Sequence, residues 1–406
     1  MKHGRLSEYF TGVGAKRLVP GEVDSGVSNQ HEMNGVHRWR HILGNDERQF
    51  NARMAYLADD DDEPVTDEVV LSWYDSRKKK AHRRPEFRLY YPDNEIVRLA
   101  APGDLCIMAR RSDDSLLMLI AEAGSTVERQ LQWLFGLGAD GGKSLPVHQL
   151  NPGDGQEIGV AAGQVLAMLG VEADLTDTSF LEAMLYTFGA KFPDTGVFSN
   201  YARATSPPVD IMASPDAALK MFMDHEEMLF RTLEKHIVEE RLAQGFKDVD
   251  EFFETSISLH NRRKSRTGYA FENHVRYILT AHGIRFEKPM VKNALLDGTR
   301  PDFVLPSVAA FNDPTFPEHR LTMLGAKSTC KERWRQVLAE AKRLPQKHLI
   351  TIEPGLSSGT TDEMKASNLQ LIIPKGFYPS YTDAQQAWLM SVEGFILLAQ
   401  SRQDAA

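Results

Sequence analysis

The stretch from Arg300 to Arg343 constrains this chain most, because it sets an acid, two short apolar runs and a lysine in one fixed order. Pro301-Asp302 leads into the apolar run Phe303-Val304-Leu305. Met323-Leu324-Gly325-Ala326-Lys327 reads as a second short buried strand, and Lys331-Glu332-Arg333-Trp334-Arg335-Gln336 opens a predicted helix that carries Glu340. An acid at the head of one strand and a lysine at the end of the next suggest a metal-dependent phosphodiesterase core. Mg2+ takes hard oxygen ligands and keeps several waters, so a few carboxylates suffice. A lysine beside them can orient the attacking water and offset charge building on the phosphorane.

This order of residues resembles the PD-(D/E)XK nucleases, with one departure. Their second acid stands two residues before the lysine, on the same strand face. Gly325 occupies that place here and has no ligand to offer. Glu340 is the expected substitute, aimed back at the site by a helix starting near Lys331. Arg333 and Glu340 are seven residues, or two helical turns, apart and would share a face with Gln336. Trp334, Val337, Leu338 and Ala341 fall on the other side and would pack on the sheet.

The run Lys327-Ser-Thr-Cys-Lys331-Glu-Arg-Trp-Arg-Gln336, with Arg-Pro-Asp302-Phe before it, is similar to the restriction endonucleases of the EcoRII family. So are Asn261-Arg-Arg-Lys-Ser-Arg266-Thr-Gly-Tyr-Ala-Phe-Glu272 and Gly245-Phe-Lys-Asp-Val-Asp-Glu-Phe252, and the likeness covers roughly residues 190 to 400. The resemblance implies a Mg2+-dependent type II endonuclease that cuts both strands of double-stranded DNA at a (pseudo)palindromic CC/GG site of the CCWGG or CCNGG kind, leaving 5′-phosphates. It implies metal binding by Asp302 and Glu340, a water-positioning role for Lys327, and assistance from Glu272. Lys331, Glu332, Arg333 and Gln336 would read base pairs in the major groove, since Arg and Lys suit guanine O6 and N7 and a carboxylate suits cytosine N4. Asn261 takes the place of an amide kept near the central bases. Arg262, Arg263, Lys264 and Arg266 would hold the DNA backbone. A homodimer, with one active site per strand, follows from the symmetry of the site. Base flipping and a companion DNA methyltransferase in the host are further expectations. The alternatives are a structure-selective repair nuclease and a non-catalytic DNA-binding regulator; an intact Asp302, Lys327 and Glu340 set argues against the second.

The 406 residues suit two domains, here 1–150, ending in a Gly-, Asp- and Pro-rich linker over 137–157, and 158–406. The formal net charge of -9 does not advertise a nucleic-acid binder, so positive charge must be clustered. Two cysteines support neither a disulfide framework nor a Cys-based zinc site. No signal peptide and no apolar stretch of about 18 residues is evident, so no membrane partner and a cytoplasmic location are expected.

The C-terminal half alternates strands with helices, which implies an α/β restriction-endonuclease-like core with a central mixed sheet. Helices are predicted over 160–169, 180–188, 215–244, 248–259 and 382–400, with Asp248 capping the fourth and Glu272 on a further helix after Arg266. The N-terminal half reads as strand-rich α+β, with runs at 18–20, 69–73, 87–91, 105–108 and 116–120. The family resemblance implies a DNA-binding effector domain of pseudobarrel type there. Ser28 to Gly35 is dense in side chains that can meet base edges, namely Asn29, Gln30, His31 and Asn34; as a plain polar loop it would form Asx turns. The basic cluster of Arg77, Lys78, Lys79, Arg83, Arg84 and Arg88 fits a phosphate-binding surface, or else a solvated hairpin tip.

Overall fold

The computed structural model describes residues 5–24, 26–27, 31–59, 63–79, 82–138, 147–151, 154–155, 157–331 and 333–404. The N-terminal region is one eight-stranded sheet. In chain order its strands are β1 (Phe10–Arg17), β2 (Glu32–Met33), β3 (Arg48–Leu57), β4 (Val65–Asp75), β5 (Phe87–Tyr90), β6 (Leu105–Arg111), β7 (Leu116–Ala121) and β8 (Val147–Gln149). Their spatial order is β2-β5-β4-β3-β7-β6-β1-β8. Neighbours are antiparallel except β3 and β7, and the sheet curls into a half-barrel. The apolar run of β7 is explained by burial of both faces. Leu116, Met118 and Ile120 join one core, while Leu117, Leu119 and Ala121 join another, under helices Thr126–Phe135 and Val160–Met168.

Several N-terminal expectations change. Residues 18–20 are no strand; they leave β1 and enter a short turn of helix, Pro20–Val23. β1 and β3 are hard to see in the sequence because Gly12 and Gly14 interrupt the first and Arg48, Gln49, Asn51 and Arg53 dilute the second. Gly14 is there for space, since a Cβ would come 2.7 Å from Trp39 Nε1. The expected linker contains β8, which pairs with β1.

The C-terminal half is built on β9 (Phe303–Leu305), β10 (Thr322–Ala326), β11 (Lys347–Ile350) and β12 (Leu369–Ile372). The order is β12-β11-β10-β9, with β9 antiparallel to β10 and the other neighbours parallel, so the sheet is mixed. The strands are short and mostly apolar because both faces are covered. Helices Pro215–Gln244, Val249–Ala281, Ser358–Ala366 and Val392–Asp404 bring Leu219, Phe222, Phe271, Val275, Met364, Phe395 and Ile396 into that core.

Three helix expectations are corrected. The helix capped by Asp248, whose side chain accepts from Glu251 N–H, does not stop at residue 259 but runs 33 residues to Ala281. Asn261 to Arg266 and Glu272 therefore share one helix. The expected helix over 382–400 is two, Asp383–Gln386 and Val392–Asp404, because Asp216 accepts the N–H of Val392 (2.9 Å) and of Glu393 (3.0 Å) and starts the second one afresh. The helix after Lys331 is only Trp334–Leu338 and ends before Glu340. Among the described residues no helix is long and apolar enough to cross a membrane.

Candidate active site

Asp302 immediately precedes β9, and the pairing of Phe303 with Leu324 brings it level with the end of β10. Its Oδ2 accepts from the backbone N–H of Ala326 (2.8 Å) and from Lys327 Nζ (2.8 Å). Lys327 is held in turn by its own N–H, which donates to Ile350 O on β11 (3.0 Å). The two side chains are 17% and 13% exposed, enough for a substrate to reach and little enough to strengthen the ion pair.

Gly325 has a packing explanation. A Cβ there would come 3.0 Å from Val337 Cγ2, so the helix that seals the sheet occupies the space a strand-borne acid would need. Glu340 does reach the site, by a turn rather than a helix. Ala341 takes a left-handed conformation, φ 47°, and its N–H donates to Thr299 Oγ1 (2.9 Å). Lys342 N–H donates to Asp297 Oδ2 (2.7 Å), and the buried Lys347 Nζ donates to Ala341 O and Leu344 O (2.6 Å each). Burial pushes the Glu340 carboxyl above the usual carboxylate range; Lys327 pulls it back, Asp302 pushes it further, and Lys347 opposes. Its Oε2 is buried with no hydrogen-bond partner. Burial also pushes the Lys347 ammonium down, against the pull of Asp297 and Glu340.

Glu272 makes no hydrogen bond or ion pair with Asp302 or Lys327 among the described residues. Its carboxylate accepts from Arg276 (2.9 Å) and Lys288 (2.6 Å), which balance its charge locally. Arg276 in turn lies over the ring of Phe303, 5.6 Å from the centroid, which links Glu272 to the residue beside Asp302.

Lys331, Arg333 and Gln336 are exposed, and Glu332 lies outside the described residues. The segment starts from Cys330, which is buried and donates its N–H to Glu353 (3.1 Å). Burial pushes the Glu353 carboxyl up, with Cys330 N–H and Lys331 acting against it. Lys331 and Arg333 line a cleft of about 710 Å³ whose opposite wall, with Arg53, Asp59, Glu63 and Gln130, belongs to the N-terminal half.

The cationic run on the long helix divides. Asn261, Arg262 and Lys264 are exposed, and Arg262 stacks on Phe192 at 4.6 Å. Arg263 pairs with Glu234 (2.7 Å). Arg266, grouped with them as a backbone contact, is 6% exposed and lies over Phe230, paired with Glu227 and, at 3.5 Å, with Glu226. Its partners come from the helix before, where no periodicity could pair them with it. Arg266→Ala should therefore lower stability by about 3–5 kcal/mol, because it strands buried carboxylates. Urea unfolding checks this; an unchanged midpoint with weakened DNA binding would return Arg266 to the phosphate backbone.

In the N-terminal half, Asn29 and Gln30 lie outside the described residues. His31 has φ 47° and its ring meets Tyr91 edge-on, and Asn34 is tied by its N–H to Glu22 (2.8 Å). Arg88 pairs with Glu32 (2.6 Å), Arg77 with Glu86 and Lys78 with Glu47. Lys79, Arg83 and Arg84 are exposed and have no ion pair among the described residues. Sequence reasoning passes over Lys347, Thr299, Asp297 and Glu353; a lysine heading a short strand that ends in Leu349-Ile350 is the one visible signal among them.

Residues 230–396 match the family model described as EcoRII C terminal. The chain is 34% identical over 236 residues to the type II restriction enzyme EcoRII of Escherichia coli, an overlap of 58% of this chain and 57% of that enzyme's length. Two solved structures are also similar. Metal-depleted Ecl18kI in complex with uncleaved, modified DNA has a TM-score of 0.45 and 16% identity, covering 56% of this chain and 85% of that one. The PspGI restriction endonuclease–substrate DNA complex has a TM-score of 0.42 and 19% identity, covering 52% and 94%.

Proposed function

We propose, from residues 230–396 forming an EcoRII C-terminal domain, that this chain is a type II restriction endonuclease that hydrolyses both strands of duplex DNA at a CC/GG-containing site. One observation carries the reading: the Asp302–Lys327 pair lies beside Glu340, a half-buried carboxylate whose Oε2 is buried with no hydrogen-bond partner. Two nearby carboxylates, one of them pushed toward protonation and unpartnered, fit a hard divalent cation such as Mg2+. Asp302 and Glu340 would hold it, and when bound it would draw charge from the phosphoryl oxygens. Lys327, fixed at both its ammonium and its backbone N–H, orients the attacking water and faces the charge that builds on phosphorus. The water oxygen bonds to phosphorus, the 3′-oxygen leaves, and a 5′-phosphate remains. Glu272 acts from behind, through Arg276 and Phe303. Plasmid incubated with Mg2+ should become linear, and chelator should stop it; plasmid that remains supercoiled with Mg2+ and with Mn2+ would overturn the reading.

Arg333, Lys331, Glu332 and Gln336 read the CC/GG base pairs, with Asn261 near the central pair and Arg262 and Lys264 on the backbone. Support comes from the exposed position of the described members just beyond the catalytic lysine. Loss of one bidentate base contact costs about 1–3 kcal/mol of discrimination. Arg333→Ala should accordingly lose preference for CC/GG duplexes while keeping its affinity for random DNA. Equal losses on both duplexes, measured by competitive binding, would make Arg333 a phosphate contact. A (pseudo)palindromic target calls for a homodimer, the host would need a protecting methyltransferase, and flipping of the central bases is part of the same reading. The exposed Lys79, Arg83 and Arg84 would give the N-terminal half a second contact with DNA.

A further inference from the structure

We infer that Lys347 is a positioning residue for the metal site: it fixes the turn at 339–344 so that Glu340 is presented to Asp302 and Lys327. This rests on the reading of Glu340 as a metal ligand. Lys347 heads β11 and is 6% exposed, an uncommon place for an ammonium. It makes no hydrogen bond to a carboxylate among the described residues. Its Nζ instead donates to two backbone carbonyls, Ala341 O and Leu344 O, both at 2.6 Å. A lysine suits that task, since its ammonium offers three donors on a flexible stem.

The turn it closes is tied on its other side too, by Ala341 N–H to Thr299 Oγ1 (2.9 Å) and Lys342 N–H to Asp297 Oδ2 (2.7 Å). Ala341 is kept left-handed without being a glycine, and such strain persists only where the surroundings over-determine it. Glu340 is the residue immediately before. The helix that would have carried it ended at Leu338, so these ties are what set its direction. Lys347 is also close enough to act on the Glu340 carboxylate through its charge. One buried cation thus shapes the turn and offsets the negative charge gathered where the cation would bind.

Binding of Mn2+ alone to the full chain, followed by electron paramagnetic resonance, tests this. Lys347→Met should weaken Mn2+ binding about tenfold, in the range found when residues supporting metal ligands are removed. It should raise the Mg2+ concentration for half-maximal cleavage by a similar factor, with the rate at saturating Mg2+ recovering toward wild type. A purely structural lysine would lower the melting temperature and leave the Mn2+ affinity of the folded protein alone; that result overturns the proposal. If Lys347→Met does not fold, Thr299→Val, which removes the tie on the opposite side, decides: weaker Mn2+ binding supports the account and unchanged binding overturns it. Glu340→Gln separates the two levels. If it leaves Mn2+ binding unchanged, the reading of Glu340 as a ligand fails, and the inference with it; if only Lys347→Met and Thr299→Val are silent, the inference alone fails.

Discussion

Asp302→Ala should reduce cleavage by roughly a thousandfold or more, the factor that about 4 kcal/mol of lost transition-state stabilisation gives, while leaving DNA binding in place. The size follows from position. Asp302 accepts from both the Lys327 ammonium and the backbone at the end of β10, through Lys327 Nζ and Ala326 N–H at 2.8 Å each. On the proposed mechanism, removing it takes away one of the two carboxylates that would hold the metal, and it frees the Lys327 ammonium from its anchor. The loss of a negative charge at a phosphate site should, if anything, strengthen DNA binding. Plasmid cleavage measured beside duplex binding in Ca2+ separates the two. A variant within tenfold of the wild-type rate would remove Asp302 from the chemistry.

A reversible lock between the two halves should have an effect nearly as large. Lys331 and Arg333 face a cleft of about 710 Å³. On the proposed base-reading role, the N-terminal wall that faces these residues across the cleft must withdraw for a duplex to lie against them. The wall is held by Thr126 Oγ1 to Gln385 (3.4 Å), by Arg129 to Asp383 (3.5 Å), and by Gln130, whose side chain lies where a Cβ at Gly355 would be. That proximity suits a disulfide. The double variant Gln130→Cys, Gly355→Cys should be inactive when oxidised and recover on reduction, and the native Cys106 and Cys330 are buried and will not compete. An oxidised, fully cross-linked protein that cleaves at the wild-type rate would show that DNA enters by another route.

The parts legible in the sequence are those that local pattern decides. β9 and β10 are apolar runs ended by charge, so pattern alone places Asp302 and Lys327 at neighbouring strand ends. The 30 residues Pro215–Gln244 announce themselves by period and by the glycine that follows. Glu340 reaches the site as expected, but by a different path. The spacing predicts a continuing helix, whereas Thr299 and Lys347, distant in sequence, pull the chain into a left-handed turn at Ala341. The polar run Asn261 to Lys264 looks like a break between helices, yet a solvated face interrupts nothing in a helix already stabilised by packing at Phe271 and Val275. Arg266 differs from its neighbours only through Glu226 and Glu227, which no local window contains. β3 is hidden because its first half, where Phe50 and Ala52 are buried between more exposed positions, can carry Arg48, Asn51 and Arg53 before the wholly buried run Met54 to Leu57.

The central claim is tested most directly by sequencing the ends that the purified chain makes in long phage DNA with Mg2+. The account predicts discrete fragments, all ending in 5′-phosphates at one CC/GG-containing site, with both strands cut. A smear of unrelated ends, or DNA left intact under conditions in which the protein binds it, would contradict it.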